Sequence, residues 1–369
     1  MNKAYISLGS NKGQRLEGIR KALFQIQKRI GVLTDLSSLY ETPAWGFEGP
    51  NFLNACIGIQ TGHTPLEVLE NLLAIEQQMG RKRPVDLAYS SRTIDLDLLF
   101  YEDKVIDNEN LKLPHPRLEL RKFILTPMCE IDPDFVHPRL GKSLADLSRI
   151  CKDSSQTKKL PLEYWSPYSL IEEQILVFEG NIGVGKTSLA QKIARDYQVP
   201  SLMENFSQNP YLEKFYDQPE GFALRLENYF LEDRFSQFSN FLKTLSTPKT
   251  AVTDHSLFKS LIFAKINLSP THFSDFKKNF EKLSAELFIN QRMIFLSQPV
   301  KKLMQQIENR GRSYERKITS DYLEKIEEGY QNFQNSELSF PYQKIDLTDF
   351  DFVHDERAYQ IILQRIKAF

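Results

Sequence analysis

The spacing of apolar and polar residues predicts two successive blocks of regular structure. In the first block, short strands and helices follow one another in the order βαββαβ. The predicted strands cover residues 5–8, 32–40, 52–60 and 93–101, and the predicted helices cover residues 14–30 and 65–79. This order is typical of a ferredoxin-like antiparallel sheet covered by helices. We therefore predict an α+β domain over residues 1–160.

The second block begins with four consecutive apolar residues at 175–178, which indicate a buried strand. Further strands are predicted up to residue 204 and at 250–253, 292–296 and 343–347, with helices between them. Such alternation favours an α/β domain with a doubly wound parallel sheet over residues 174–369. Residues 161–173 show no sustained period, and we predict a linker there.

Composition narrows the class of protein. The chain has 369 residues, of which 41% are hydrophobic, and its 47 basic and 48 acidic side chains leave a net charge of −1. We expect no nucleic-acid partner from this balance. The three cysteines lack pairing or metal-ligand spacing, which indicates reduced thiols in the cytoplasm. The first residues lead at once into the strand predicted at 5–8, so we expect no signal peptide. No apolar run is long enough to cross a membrane, so we expect no membrane span.

A phosphate-binding pattern follows the strand that opens the second block. It reads Gly180-x4-Gly185-Lys186-Thr187 and leads into a helix from Ser188. Its glycines, Gly183 included, let backbone N–H groups face a phosphate chain, Lys186 reaches the outer phosphates and the Thr187 hydroxyl can hold Mg²⁺. A chance glycine-rich turn is the alternative, but it would require neither the lysine nor the threonine.

The last predicted strand of the first block carries two carboxylates. Asp95 and Asp97 share one face at a spacing of about 6.6 Å, which suits a pair of Mg²⁺ ions. Taken by itself, this strand is explained equally well as an amphipathic strand whose acidic face is exposed to solvent. Cationic or donor side chains nearby favour a phosphate site, namely Arg81, Arg83, Arg92, His115, Arg117 and Arg121.

Several short motifs occur in order along residues 1–150. They are Gly9-Ser10-Asn11, Tyr40-x-Thr42-Pro43, Asn51-Phe52-Leu53-Asn54-Ala55, Glu76-x3-Gly80-Arg81-x-Arg83, Arg92-Thr-Ile-Asp95-Leu-Asp97, Pro114-His115-Pro116-Arg117 and Arg121-x-Phe123-x-Leu125. This series resembles the 6-hydroxymethyl-7,8-dihydropterin pyrophosphokinase family of the folate pathway. The resemblance implies ATP-dependent pyrophosphoryl transfer to the pterin with release of AMP.

The resemblance also implies roles for individual residues. Asp95 and Asp97 would bind two Mg²⁺ ions between ATP and the pterin, with Arg81 and Arg92 as further catalytic residues. ATP would contact His115, Arg117 and Arg121. The pterin would contact Thr42, Pro43, Phe52, Asn54, Tyr89 and Phe123. The chain departs from the family at Ala88-Tyr89-Ser90-Ser91-Arg92, where the family usually has Arg-Trp-Gly-Pro-Arg.

Two features of the second block could complete a phosphoryl-transfer site. Glu204 ends the strand after the phosphate-loop helix, where a carboxylate can take a proton from a substrate hydroxyl. Arg310-Gly-Arg312 follows a helix and could close over the transferring phosphate. A solvated loop glutamate and a helix end with basic residues are the alternatives, and each is common.

Together these features resemble the deoxynucleoside kinase family over residues 172–369. The resemblance implies that Glu204 is the general base, that Arg310 and Arg312 bind phosphates, and that Tyr216 and Glu315 bind the sugar 3′-hydroxyl. ATP would bind to Gly180, Gly183, Gly185, Lys186, Thr187 and Ser188, with Mg²⁺ on Thr187.

Two further positions depart from the kinase family. Asp254-His255-Ser256 stands where the family has an acidic residue, arginine and serine, so that Asp254 would contact the nucleoside while His255 replaces an arginine expected near its 5′-oxygen. Glu227 lies where the family often has a base-reading glutamine, and an ionised glutamate would accept hydrogen bonds without donating any.

We therefore predict a bifunctional enzyme whose substrates are ATP, 6-hydroxymethyl-7,8-dihydropterin and a deoxynucleoside. The alternative is that only the pterin pyrophosphokinase is active and the C-terminal half is a nucleotide-binding or dimerisation module. The resemblance leaves open a homodimer formed through the C-terminal domain. A motor protein or GTPase is a weaker third alternative, because the sequence contains no residue pattern for guanine recognition by such proteins.

Overall fold

The computed structural model describes residues 1–81, 91–165, 174–245, 251–287, 289–336 and 342–367. The chain divides into two units. The first unit comprises Met1–Pro167 together with Glu356–Phe369, and the second comprises Tyr168–Asp355. None of the helices in these described ranges is long and apolar enough to cross a membrane.

The first unit is built on an antiparallel sheet. Its strands are β1 (Asn2–Ser10), β2 (Val32–Leu36), β3 (Tyr40–Thr42), β4 (Phe52–Thr61), β5 (Asp95–Tyr101) and the short β8 (Lys158–Lys159), while β6 (Ile106–Asp107) and β7 (Lys112–Leu113) form a separate ladder. Strand β1 lies between β5 and β4, and both β2 and β3 pair with β4. The helices are α1 (Arg15–Arg29), α2 (Pro65–Gln78), α3 (Lys122–Ile131) and α4 (Leu144–Ile150). The predicted antiparallel sheet is confirmed.

The strand predicted at residues 32–40 is two strands, separated by Ser37, Ser38 and Leu39. Ser37 Oγ accepts the backbone N–H of Cys56 at 2.9 Å, and Ser38 donates its N–H and its hydroxyl to the Glu130 carboxylate, both at 2.8 Å. Because the Ser38 N–H bonds to a side chain and not to a neighbouring strand, the regular ladder is interrupted between β2 and β3.

The second unit is built on a parallel sheet. Its strands are β9 (Ile175–Gly180), β10 (Ser201–Leu202), β11 (Ala251–Thr253), β12 (Gln291–Ser297) and β13 (Tyr342–Asp346), in the order β10-β11-β9-β12-β13. The helices are α5 (Lys186–Tyr197), α6 (Leu212–Asp217), α7 (Pro219–Thr244), α8 (Phe258–Asn267), α9 (Pro270–Ala285), α10 (Val300–Arg310) and α11 (Ser320–Gln334). Strand β9 is buried along its whole length in the middle of the sheet, so the loop that follows it opens at the carboxyl edge. The predicted parallel sheet is confirmed.

The last helix, α12 (Glu356–Lys367), belongs to the first unit, although the sequence analysis placed it in the phosphate-loop domain. Gln364 Nε2 donates to the backbone oxygen of Trp165 at 2.6 Å. Trp165 is fully buried and donates its indole N–H to the Ser37 carbonyl at 2.9 Å. The residues 161–173 predicted as a linker therefore include a buried anchor, and residues 166–173 lie outside the described ranges.

Two candidate active sites

In the first unit, pairing between strands brings predicted metal and pterin residues into one row. Asp95 on β5 lies opposite Gly9 on β1, and Gly9 lies opposite Asn54 on β4. A Cβ atom at Gly9 would come within 3.0 Å of Asn54 Oδ1, so glycine keeps this row open. Asp97 is two positions further along β5 and shares the face of Asp95.

Two arginines hold the first carboxylate. Arg81 Nη1 lies 2.6 Å from Asp95 Oδ1, and Arg92 Nη1 lies 2.7 Å from Asp95 Oδ2. Arg81 also pairs with the buried Glu76, which accepts the backbone N–H of Leu96 at 2.8 Å. These contacts fix both guanidinium groups beside β5, where they can meet a phosphate chain.

The second carboxylate is protonated more easily than an ordinary aspartate. Burial, together with the negative charge of Asp95, raises the pKa of Asp97 to about 7. His115 Nε2 lies 3.8 Å from Asp97 Oδ1, and burial with the nearby Arg121 lowers the pKa of His115 to about 4. A divalent cation would relieve the repulsion between the two carboxylates, so the residues fit Mg²⁺.

Such an ion would need oxygen ligands from elsewhere. No group of three or more His, Cys, Asp or Glu side chains that could hold a metal occurs within the part of the chain that the structure describes. Mg²⁺ commonly takes one or two carboxylates and completes its shell with water and substrate phosphates. The Asp95 and Asp97 pair matches that mode of binding.

Three of the predicted pterin residues, Thr42, Phe52 and Asn54, lie in or beside the same row. Asn54 Nδ2 donates to Thr42 Oγ1 at 2.8 Å, and Phe52 lies opposite Thr42 in the ladder that ends just before Pro43. The Arg92 guanidinium lies 5.9 Å from the centre of the Phe52 ring. Tyr89, like Arg83, lies outside the described residues.

One aromatic residue of this region was not predicted. The Arg121 guanidinium lies 5.2 Å from the Trp45 ring and 5.8 Å from the Phe123 ring. The sequence signal that could have identified Trp45 is its position in the loop between two predicted strands. Arg117, by contrast, is exposed and has a left-handed backbone with a φ of 63°.

In the second unit, the phosphate loop has the expected geometry. Gly180, Gly183 and Gly185 have φ angles of 140°, 86° and 96°. Lys186 Nζ donates to the carbonyl oxygens of Gly180 at 2.7 Å and Asn181 at 2.8 Å. Burial, together with the charge of Lys259, lowers the pKa of Lys186 to about 7, and a phosphate chain would restore the charged form.

Two openings meet at this loop. The Glu204 cavity has a volume of about 800 Å³ that includes space open to solvent, and it is lined by residues that the sequence analysis singled out: Glu204, Tyr216, Glu227, Asp254, Arg310, Arg312 and Glu315. The Ser188 cleft runs along the other side of the loop and is lined by Gly185, Ser188, Lys302 and residues 348–354, among others. Gly183, Lys186, Thr187 and Arg310 line both openings. The loop therefore stands between two adjoining ligand-sized spaces.

Glu204 is held by two cations that the sequence analysis missed. Arg234 on α7 donates to Glu204 Oε1 from Nε at 2.9 Å and from Nη2 at 2.6 Å, and Lys259 on α8 pairs with Oε2. Burial opposes ionisation, but the charges of Lys259 and Arg234 hold the pKa of Glu204 well below its usual range. These partners are far away in sequence on long helices, so no local motif marks them.

Asp254 connects this carboxylate to the phosphate loop. It accepts the backbone N–H of Glu204 at 2.8 Å on Oδ1 and the Thr187 hydroxyl at 2.5 Å on Oδ2. His255 Nδ1 lies 3.0 Å from Asp254 Oδ1, and its ring packs 5.1 Å from the Phe238 ring. His255 is fully buried and is not among the residues that line the Glu204 cavity, so it does not take the position expected for the family's arginine.

Both predicted closing arginines contact the same glutamate. Arg310 donates to Glu315 from Nε at 3.0 Å and from Nη2 at 2.6 Å, and Arg312 Nη1 donates to it at 3.3 Å. Arg312 also lies 4.3 Å from the Phe206 ring. Tyr216 is half-buried in the same cavity, and the burial of its hydroxyl raises the pKa of that group well above the usual value.

Comparisons with known proteins match the N-terminal and C-terminal parts of the chain separately, and the C-terminal match includes α12. A model of the 7,8-dihydro-6-hydroxymethylpterin-pyrophosphokinase family matches residues 5–133, and a model of the deoxynucleoside kinase family matches residues 176–369. The chain is 39% identical over 147 residues to the 2-amino-4-hydroxy-6-hydroxymethyldihydropteridine pyrophosphokinase of Aquifex aeolicus, covering 40% of this chain and 90% of the relative. It is 38% identical over 145 residues to the enzyme of the same name from Synechocystis, covering 39% and 73%.

The C-terminal part has its own relative. It is 30% identical over 200 residues to the deoxyguanosine kinase of Bacillus subtilis, covering 52% of this chain and 95% of that enzyme. Both family models thus match along the chain without overlap. The chain is a fusion that belongs to the 7,8-dihydro-6-hydroxymethylpterin-pyrophosphokinase family through its N-terminal part and to the deoxynucleoside kinase family through its C-terminal part.

Proposed function

We propose that the first unit transfers pyrophosphate from ATP to the hydroxymethyl oxygen of 6-hydroxymethyl-7,8-dihydropterin and releases AMP. The supporting observation is the row that joins Asn54, Gly9 and Asp95, with Asp97 on the same face. In this proposal Asp95 and Asp97 hold two Mg²⁺ ions, which supply charge stabilisation to ATP's phosphates. Phosphate contacts come from Arg81, Arg92, His115, Arg117 and Arg121, and pterin contacts from Thr42, Pro43, Phe52, Asn54, Tyr89 and Phe123.

The second unit, in the same proposal, transfers one phosphate from ATP to the 5′-hydroxyl of a deoxynucleoside. The supporting observation is that an ionised Glu204 and the phosphate-loop Lys186 line one cavity. Glu204 accepts the hydroxyl proton as the phosphate arrives, Arg310 and Arg312 leave Glu315 to bind phosphate oxygens, and Glu315 with Tyr216 binds the 3′-hydroxyl. Thr187 holds one Mg²⁺.

One experiment tests both activities on the full chain. The purified protein is incubated with ATP, Mg²⁺ and either the pterin or each of the four deoxynucleosides, and the products are identified by mass spectrometry. We expect AMP with the pterin, and ADP with a nucleoside 5′-monophosphate. ADP in the pterin reaction would refute the first assignment. ATP binding without phosphorylation of any deoxynucleoside would favour the alternative, a C-terminal module that binds nucleotide without catalysis.

Three broader proposals accompany the activities. The strand order β5-β1-β4 with β2 and β3 next to β4 supports a ferredoxin-like assignment for the first unit. A homodimer through the C-terminal domain rests on the family resemblance, and a cytoplasmic location rests on the spacing of the three cysteines. Sedimentation equilibrium of the full chain tests the dimer, and a mass equal to the calculated 43.0 kDa would exclude it.

A further inference from the structure

One cation of the Glu204 cavity has unused hydrogen-bonding capacity. Lys259 on α8 lines this cavity, and its side chain is only 10% exposed. Within the described part of the chain, the only hydrogen-bond partner of Lys259 Nζ is Glu204 Oε2. Its other near contact is the Phe263 ring, whose centre lies 5.7 Å away. Because an ammonium group carries three N–H donors, two donors of this largely buried cation remain for a ligand.

The two carboxylate oxygens of Glu204 are held differently. Oε1 accepts two hydrogen bonds from Arg234, from Nε at 2.9 Å and from Nη2 at 2.6 Å. Arg234 is itself fixed, because its Nη1 donates to the Ser260 hydroxyl at 2.6 Å. Among the described residues, Oε2 accepts a hydrogen bond from Lys259 alone. Oε2 is therefore the oxygen that can take a proton from a substrate hydroxyl, and a hydroxyl that reaches it also meets the Lys259 ammonium group.

This pair of side chains lies close to the phosphate loop. Asp254 accepts the Glu204 backbone N–H on one oxygen and the Thr187 hydroxyl on the other, so one side chain joins Glu204 to the loop. His255 is fully buried and is not among the described residues that line the cavity. The residue at position 255 therefore brings no positive charge to the cavity wall. Lys259, four positions later, brings one to the Glu204 oxygen that faces the substrate.

We propose that Lys259 is a catalytic residue of the kinase reaction, in the role that the family resemblance gives to an arginine at position 255. This inference rests on the proposed function of the same cavity and adds a residue to it. The proton of the 5′-hydroxyl passes to Glu204 Oε2, and the 5′-oxygen forms the new bond to the γ-phosphorus of ATP. The bond from that phosphorus to ADP breaks, and ADP leaves with its electron pair. Lys259 Nζ donates to the 5′-oxygen and then to the transferred phosphoryl group, where negative charge is concentrated.

A lysine suits this exchange of partners. Its ammonium group is a compact charge on a flexible chain, so it can turn from Glu204 Oε2 to the phosphoryl oxygens without a change in the backbone. Arg234 stays on Oε1 and keeps the carboxylate in place. Oε2 then loses its cation as the substrate proton arrives, which makes it a better acceptor for that proton.

The test compares Lys259→Met with Lys259→Arg in the full chain, using ATP and each of the four deoxynucleosides. Loss of the charge also raises the pKa of Glu204, but that effect disappears at a pH where Glu204 is ionised in every variant. The readout is therefore kcat on the alkaline plateau of the pH profile. We expect Lys259→Met to lower this plateau on the order of 10²–10³-fold. Lys259→Arg keeps the charge and should stay within about tenfold of the wild type.

Calorimetry supplies a second readout that requires no turnover. Because Lys259 is assigned to the phosphoryl group, Lys259→Met should weaken the affinity for a deoxynucleoside 5′-monophosphate on the order of 10- to 100-fold. The affinity for the deoxynucleoside itself should stay nearly unchanged, which also shows that the variant is folded. Lys259→Gln, which lacks the charge as well, replaces Lys259→Met if that variant does not fold. Lys265→Met, an exposed change on the same helix, is the matched control and should alter neither readout.

The outcomes separate this inference from the kinase proposal. A plateau kcat of Lys259→Met equal to that of the wild type, or an unchanged monophosphate affinity, refutes the inference and leaves the kinase activity standing. A folded Lys259→Arg that is as slow as Lys259→Met also refutes it, because the role is assigned to the charge. If the wild type phosphorylates no deoxynucleoside, the proposed function fails and the catalytic role of Lys259 fails with it. The monophosphate affinity then decides whether Lys259 binds a phosphate group at all.

Discussion

Arg365 in the last helix donates two hydrogen bonds to the backbone oxygen of Leu33 in β2, from Nε at 2.9 Å and from Nη2 at 2.6 Å. The two residues are 332 positions apart, and the whole second unit lies between them in the chain. Arg357 of the same helix donates to the Glu130 carbonyl at 2.9 Å and to its carboxylate at 2.8 Å. The first unit is therefore assembled from two segments of the chain that lie on either side of the second unit.

We predict that weakening α12 destabilises the first unit. Ile362 is fully buried, and Ile362→Ala should lower the free energy of unfolding of this unit by about 2–5 kcal/mol. Both tryptophans of the chain, Trp45 and Trp165, belong to the first unit, so tryptophan fluorescence in urea follows its unfolding alone. Ile326→Ala changes a fully buried residue of the second unit and is the control. Equal fluorescence midpoints for Ile362→Ala and the wild type would show that α12 contributes no stability there.

Asp97→Asn should reduce AMP formation from ATP and the pterin on the order of 10²–10³-fold, because one ligand of the proposed metal pair is lost. Because the pKa of Asp97 is raised to about 7, the wild-type rate should fall as the pH drops from 8 to 6. Added Mg²⁺ should restore it by competing with the proton. Asp134→Asn, an exposed aspartate of the same unit, is the control. A rate at pH 6 that does not respond to Mg²⁺ would contradict this account.

Lys259→Met tests the cation pair on Glu204. The positive charge of Lys259 holds the pKa of Glu204 down, so its removal raises that pKa. The base is then protonated over a wider range, and the acid limb of kcat/KM for deoxynucleoside phosphorylation should move to higher pH. Lys265→Met, an exposed change on the same helix, should leave the profile in place. An unshifted acid limb in Lys259→Met would mean that Glu204 is not the titrating base.

His255→Arg should not improve the kinase. His255 is fully buried against Phe238, so the larger charged side chain would lack space and solvent and should destabilise the second unit by about 3 kcal/mol or more. The measurement is the unfolding of the second unit, followed in urea by far-UV circular dichroism as the step that tryptophan fluorescence does not report. The exposed His272→Arg is the control. Faster phosphorylation by His255→Arg would show that an arginine at this position reaches the cavity.

The sequence predicted the elements that rest on local patterns. The phosphate loop needs a strand, three glycines, a lysine and a helix in immediate succession, and all of these are neighbours in the chain. The alternation of Asp95 and Asp97 with Leu96 likewise indicated one polar strand face. Trp165, in contrast, lies in a segment without periodicity, and its burial and its contacts with the distant Ser37 and Gln364 show that it is an anchor.

The electrostatics of the kinase site could not be predicted from the sequence. From the sequence, His255 stands where the family resemblance implies an arginine near the 5′-oxygen of the nucleoside. In the structure Arg234 and Lys259 supply the positive charge, and they reach Glu204 because α7 and α8 converge on it. Glu227 was expected only to accept hydrogen bonds, whereas burial brings its pKa to about 7, where the acid and ionised forms coexist. Burial is a property of the packed fold, which no local motif specifies.

The return of α12 to the first unit affects how the protein is made. On the ribosome, an N-terminal domain usually folds before the sequence behind it has been translated. Here the first unit lacks α12 until the second unit has been synthesised, so Leu33 and Trp165 gain their α12 partners only after that. A chain that stops early would carry an incomplete pterin unit with exposed apolar surface, a substrate for proteases and chaperones. The first unit would therefore reach its complete fold only in chains that also contain the second unit.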